Sequence, residues 1–180
     1  MNSSQALYNR LNETLRPWIS VSNSKQVTNW IWIIVGILQA HSLALSQIAN
    51  HLPMETEEES RVTLIRRWLK NWHIDVWTFY RAVLEHIFQA WHTVDAYLIL
   101  DGVLVFGDHW QIFRVSLQHG CRAIPLGWVV LAGTGLTQVE KLETMLTQLA
   151  EFLRGRVHRV TFLADCGFRD CDWAKLCGKI

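Results

Sequence analysis

The stretch VTFLADCGFRD, residues 160–170, decides how the second half of this chain is read. An apolar, β-prone run ends on an aspartate, Asp165, and a glycine and further charges follow at once. That is the outline of a buried strand with a carboxylate at its tip. A second segment, VDAYLILDGVLVF (94–106), reads as a long strand with Asp101 in its middle. Between the two lie WQIFRVSLQHG (110–120) and RAIPLGWVVLAG (122–133), two more strands, with Gly107-Asp108 and His119-Gly120 as tight turns. The three strands thus form an antiparallel meander. TQVEKLETMLTQLAEFLRG (137–155) then reads as a helix, with a capping-box pattern at Thr137 and Glu140 and Gly155 at its end. Its core stripe is Val139, Leu142, Met145, Leu146, Leu149 and Leu153.

If the fourth strand pairs parallel to the first, Asp101 and Asp165 stand on neighbouring strands and can meet. A charged group inside an apolar strand is costly without compensation, and ILDGV supplies no cation of its own. Two facing carboxylates also disfavour joint ionisation. A hard divalent cation, Mg²⁺ or Mn²⁺, resolves both difficulties, and such sites carry out phosphoryl transfer. Each aspartate also has a plainer reading. Asp165-Cys-Gly can be a simple turn, and Asp101-Gly102 can be one that splits the long strand into a hairpin.

Upstream, residues 1–92 carry helical patterns and form one region, with residues 93–180 as the other. VTNWIWIIVGILQAH (27–41) is apolar nearly all round, which predicts a helix buried on every side. Its nine-residue apolar run WIWIIVGIL falls well short of the ~20 residues a membrane span needs. A short helix (45–52), Pro53 and the acidic METEEES follow, then a helix over 58–71. In that helix Val62, Leu64, Ile65, Trp68 and Leu69 share one side, and Arg66, Arg67 and Lys70 the other. A last helix spans 76–91. Short helix, turn, then a helix with a basic face is the outline of a helix-turn-helix, whose arginines fork onto phosphate or guanine. A solvated surface face explains the same charges equally simply. Trp30, Trp32, Trp68 and Trp72 sit on apolar stripes and are expected in the core; His109 is expected in a hairpin turn.

Composition sets outer limits. Half of the 180 residues are hydrophobic and ten are tryptophan, which excludes a disordered chain. Seventeen basic against sixteen acidic residues leave a net charge of +1, so a nucleic-acid partner must rest on local patches. Cys121, Cys166, Cys171 and Cys177 form no C-x-x-C pair and no signal-peptide pattern precedes them, so reduced, intracellular thiols acting as small buried hydrophobes are expected.

Taken together, LILDGVLV (98–105), the meander ending in PLGWVVL (125–131) and VTFLADCGFRD resemble the catalytic domain of DDE transposases of bacterial insertion sequences. The most specific piece is D-x-G-F after a hydrophobic strand, Asp165 to Phe168. LALSQIANHLPMETEEESRVTLIRRWLKNW (43–72) resembles the helical DNA-binding region that precedes that domain.

The resemblance implies an α+β chain: an N-terminal helix-turn-helix-like region, then a truncated RNase H-like domain of three antiparallel strands, a crossover helix and a fourth strand. It implies Asp101 and Asp165 as catalytic Mg²⁺ ligands and Arg66, Arg67 and Lys70 as DNA contacts. It further implies double-stranded DNA of element ends as partner, a homodimer, no membrane, and a cytoplasmic, nucleoid-associated location. The motif departs from the D-x-T or D-D form of relatives, since Gly102 follows Asp101. The family's third carboxylate, a downstream glutamate, has no counterpart, since only Asp170 and Asp172 follow Asp165. The expectation is a transposase-like protein inactive alone; the alternative is a non-catalytic DNA-binding protein or inhibitor derived from one.

Overall fold

The computed structural model describes residues 3–21, 23–91, 95–133, 139–164, Lys175 and Gly178, without the side chains of residues 139–141. The chain divides into two compact units, Met1–Gln89 and Ala90–Ile180. Among the described residues the fold is α+β, with six α-helices and one four-stranded mixed sheet.

The first unit is helical: α1 (Ser3–Leu15), a 3-10 turn (Arg16–Trp18), α2 (Ser24–Ala40), α3 (Leu45–Ala49), α4 (Glu58–Leu69) and α5 (Val76–Gln89). Asn23 starts α2 by accepting a hydrogen bond from the Lys25 amide at 3.1 Å. Asp75 starts α5 with both carboxylate oxygens, accepting from the amides of Trp77 (3.1 Å) and Thr78 (3.2 Å). α2 is the spine of the unit, because its apolar residues face more than one way. Ile33 packs with Ile48, Ala49, Leu52, Val62 and Ile65, joining α2 to α3 and α4. Val27 and Ile31 pack with Ile19 and Phe79, joining it to the N-terminal turn and α5. Burial is not complete all round, as Leu38 is 49% exposed and Trp30, Ile34 and Ile37 are only half-buried.

Gly36 permits the α2–α3 approach. A Cβ there would stand 2.6 Å from Ile48 Cγ2 and 2.9 Å from the Ile48 carbonyl oxygen. Residues 50–57 separate α3 from α4, a longer connection than the roughly 3–4-residue turn of a helix-turn-helix. Arg61 steadies this connection by donating to the carbonyl oxygens of Met54 and Thr56.

The second unit is β1 (Asp95–Val105), β2 (Trp110–His119), β3 (Arg122–Ala132), α6 (Val139–Leu153) and β4 (Arg159–Ala164). The sheet order is β3-β2-β1-β4, with β1–β2 and β2–β3 antiparallel and β1–β4 parallel. β1 runs unbroken through Asp101-Gly102, so the hairpin alternative at that dipeptide is excluded. The turn after β1 needs positive φ at Phe106, Gly107 and Asp108, which the Gly-Asp pair tolerates best. His109 lies in that turn, its carbonyl accepting from the Gly133 amide at 2.8 Å.

α6 covers one face of the sheet. Leu142, Met145, Leu146, Leu149 and Leu153 are buried as the periodicity predicts, and Gly155 follows with φ 76°. Gly127 lets the helix settle on β3, since a Cβ there would stand 3.1 Å from Met145 Cγ. Thr137 and the Glu140 side chain, which make up the capping box, lie outside the described residues.

Candidate functional site

The sheet register fixes which way Asp101 faces. Gly127 on β3 pairs with Val115 on β2, which pairs with Leu100 on β1, and this row faces α6. Side chains alternate along a strand. The next row, Asp101–Arg114–Trp128, therefore lies on the opposite face. Arg114 Nη2 donates to Asp101 Oδ2 at 3.1 Å, and the two side chains are 47% and 45% exposed. The cation that Asp101 lacks in its own strand thus comes from the neighbouring one. Aromatic and aliphatic side chains surround the pair on this face, Tyr97, Val103, Trp128, Val130 and Leu163 among them, all exposed.

The parallel pairing of β1 with β4 runs from Asp95–Arg159 to Leu100–Ala164. Asp101 is the next residue on β1, and Asp165 follows Ala164 in the chain. Asp165 itself lies outside the described residues, as do Asp170, Asp172, Cys166, Cys171 and Cys177. Among the described residues no group of three or more His, Cys, Asp or Glu side chains is arranged to hold a metal ion. Asp101 fits a hard cation as a single oxygen ligand, in competition with the guanidinium already beside it. Cys121 is a free, exposed thiol at the β2–β3 turn, not the small buried hydrophobe expected from composition.

At the opposite end of the same strand pair, Arg159 donates from Nε to Asp95 Oδ1 at 3.2 Å and from Nη2 to Oδ2 at 2.7 Å. This forked bond, first among the causes, holds the Asp95 carboxyl below its usual range and raises Arg159.

In the helical unit, α4 presents Arg66 and Arg67 to solvent, and Lys70 does the same from the residue that ends it, as the periodicity predicts. Glu58 and Glu59 occupy the first turn, where the macrodipole favours them. Val62 and Ile65 are buried opposite the cations, with Leu64 and Trp68 partly so. Trp68 Nε1 donates to the Gln26 carbonyl oxygen at 3.1 Å, tying α4 to α2. Two expectations fail here. Leu69 is 57% exposed and Trp72 is 84% exposed, so neither belongs to the core. α4 ends at Leu69 and Trp72 sits in the following turn, where the helical period that suggested burial no longer applies. Trp30, Trp32 and Trp68 are buried or half-buried as expected.

An open groove of about 430 Å³ runs between the start of α2 and α4. Lys25 and Arg67 line it together with Asn23, Asn29, Thr63 and Asn71, and among the described residues no acidic one does. Residue spacing alone gives no sign of this groove, because Lys25 and Arg67 are far apart in sequence and the pattern of α2 is dominated by its apolar residues.

Comparison with protein-family models, with curated proteins and with solved structures finds no match for this chain. Among the described residues no helix is long and apolar enough to cross a membrane.

Proposed function

We propose that this chain is a transposase-like, duplex-DNA-binding protein, with an RNase H-like second unit and with α4 of its helical unit contacting phosphates. The observation that carries the reading is the parallel register of β1 with β4, ending at Leu100–Ala164. It brings the chain to the threshold of Asp165 beside the residue preceding Asp101, on the strand order β3-β2-β1-β4. In this reading Asp101 and Asp165 would hold Mg²⁺ or Mn²⁺, which when bound would polarise a phosphodiester. Arg66, Arg67 and Lys70 would neutralise phosphates and set the salt dependence of binding.

One observation favours a second reading, a DNA-binding protein without catalysis. Arg114 already neutralises Asp101 at 3.1 Å, so the carboxylate needs no metal to be tolerated on its strand.

Duplex binding measured by fluorescence anisotropy across a salt series tests the shared part. Alanine at Arg66, Arg67 and Lys70 should flatten the slope of log affinity against log salt by about one unit for each phosphate left without its cation. An unchanged slope, or no binding by the parent protein, defeats the reading. Isothermal titration with Mn²⁺ separates the two versions: binding abolished in both Asp101→Asn and Asp165→Asn supports the metal site, and binding that survives Asp101→Asn removes it.

A further inference from the structure

We propose that the turn between α4 and α5 is a stacking site for an unpaired nucleobase, with Trp72 as the platform and the α2–α4 groove receiving the adjoining phosphates. The inference rests on the nucleic-acid reading above but names a different substrate, single-stranded or unpaired segments.

Trp72 is 84% exposed, and its ring lies against the His73 imidazole with centroids 3.5 Å apart. Most of the indole is therefore bare. The turn that carries it is nevertheless well held. Asn71 Oδ1 accepts from the His73 amide at 3.1 Å, and the Asn71 carbonyl accepts from the Ile74 amide at 3.0 Å. Ile74 packs against the cluster of Ile19, Val27, Ile31 and Phe79, and Asp75 caps α5 immediately afterwards. A large aromatic surface is thus projected into water from a backbone fixed on both sides. That arrangement costs apolar exposure in the free protein and suits a preformed stacking surface.

The charge along the segment that leads to it is one-sided. From Ser60 to Ile74 the sequence holds Arg61, Arg66, Arg67 and Lys70 and no acidic residue. Asp75, the nearest carboxylate in sequence, is occupied in capping. Arg67 and Asn71 line the groove, and Trp72, though not part of that lining, follows Asn71 directly in the chain. A polyanion carrying flat, stackable rings matches both halves of this surface. An anionic lipid surface would match the cations and Trp72, but a flat bilayer face does not enter the groove in which Asn23, Asn29, Thr63 and Asn71 lie.

The test is anisotropy titration of fluorescein-labelled oligothymidine and of a blunt duplex against the full chain. Trp72→Ala should weaken oligothymidine binding about tenfold and leave duplex binding within about twofold, as removal of one base stack predicts. Trp72→Phe should keep most of the affinity. Trp72→Leu, apolar but without a π-face, should behave like Trp72→Ala. Arg67→Ala should weaken both ligands.

Oligothymidine binding indifferent to Trp72→Ala overturns the stacking site, as does a protein that binds duplex alone; DNA binding survives either result. Failure to bind either nucleic acid defeats both. Binding confined to phosphatidylglycerol vesicles would make the surface a lipid contact and overturn the proposal.

Discussion

Asp95 and Arg159 close the start of the parallel strand pair with two hydrogen bonds, at 3.2 and 2.7 Å, between side chains 64 residues apart in sequence. The register Asp95–Arg159 is the first of six paired positions, so this fork sits where the crossover returns to the sheet. It helps fix the register on which the reading of Asp101 depends, because a one-residue slip would turn every β4 side chain to the other face.

The Asp95 carboxyl is held below its usual range, chiefly by the hydrogen bonds from Arg159. A folded-state value below the unfolded one means the contribution is present above about pH 4 and is lost as pH falls through the folded value. Asp95→Asn should therefore lower stability slightly above about pH 4 and flatten the acid limb by the same small amount, the two proteins converging at low pH. Thermal unfolding followed by circular dichroism over a pH series checks this. Equal acid sensitivity in the two proteins would show that the fork contributes nothing.

Gly36 makes a sharper demand. Alanine in a helix interior is intrinsically better than glycine by about 1 kcal/mol. Here the added methyl would meet Ile48 Cγ2 at 2.6 Å and the Ile48 carbonyl oxygen at 2.9 Å. A side-chain methyl can rotate away, but a backbone carbonyl in a packed helix cannot without moving α3. Overpacking of this kind costs about 1–3 kcal/mol. Gly36→Ala should therefore lower the unfolding temperature of the helical unit by several degrees. Gly127→Ala should be milder, since the atoms its methyl would meet are the flexible Met145 side chain and a Leu149 methyl. An unchanged or raised melting point for Gly36→Ala would mean that α2 and α3 do not approach as closely as described.

These glycines show what the sequence can and cannot disclose. Alternating and helical periods are enough for the meander, for α6 and its stripe, and for the buried flank of α4, because burial there follows the period of one element. The 13-residue helix α1 does not stand out, since SSQALYNRLNETL has a weak apolar stripe and, of its described residues, buries only Ser4. Trp72 escapes the pattern because periodicity extrapolates past a helix end that only tertiary packing sets. The shared groove of Lys25 and Arg67, and the pairs Arg114–Asp101 and Arg159–Asp95, are illegible for a common reason: each involves two elements, and no local period reports a relation between elements.

The Asp101–Arg114 pair bears most directly on function. Both side chains are nearly half exposed, and such a surface pair contributes under about 1 kcal/mol. Arg114→Ala should therefore leave the fold and its melting point nearly unchanged. Its effect on cation affinity is the informative quantity. A guanidinium 3.1 Å from Asp101 Oδ2 both occupies a carboxylate oxygen and repels a divalent ion. If Asp101 is a metal ligand, removing that competitor should tighten Mn²⁺ binding several-fold, and Asp101→Asn in the same background should abolish the gain. Calorimetric titration of the three proteins decides between the two readings. A gain that vanishes with Asp101 supports the metal site. Affinity unmoved by Arg114→Ala leaves Asp101 as an exposed ion-pair partner on the sheet and removes the metal-site reading.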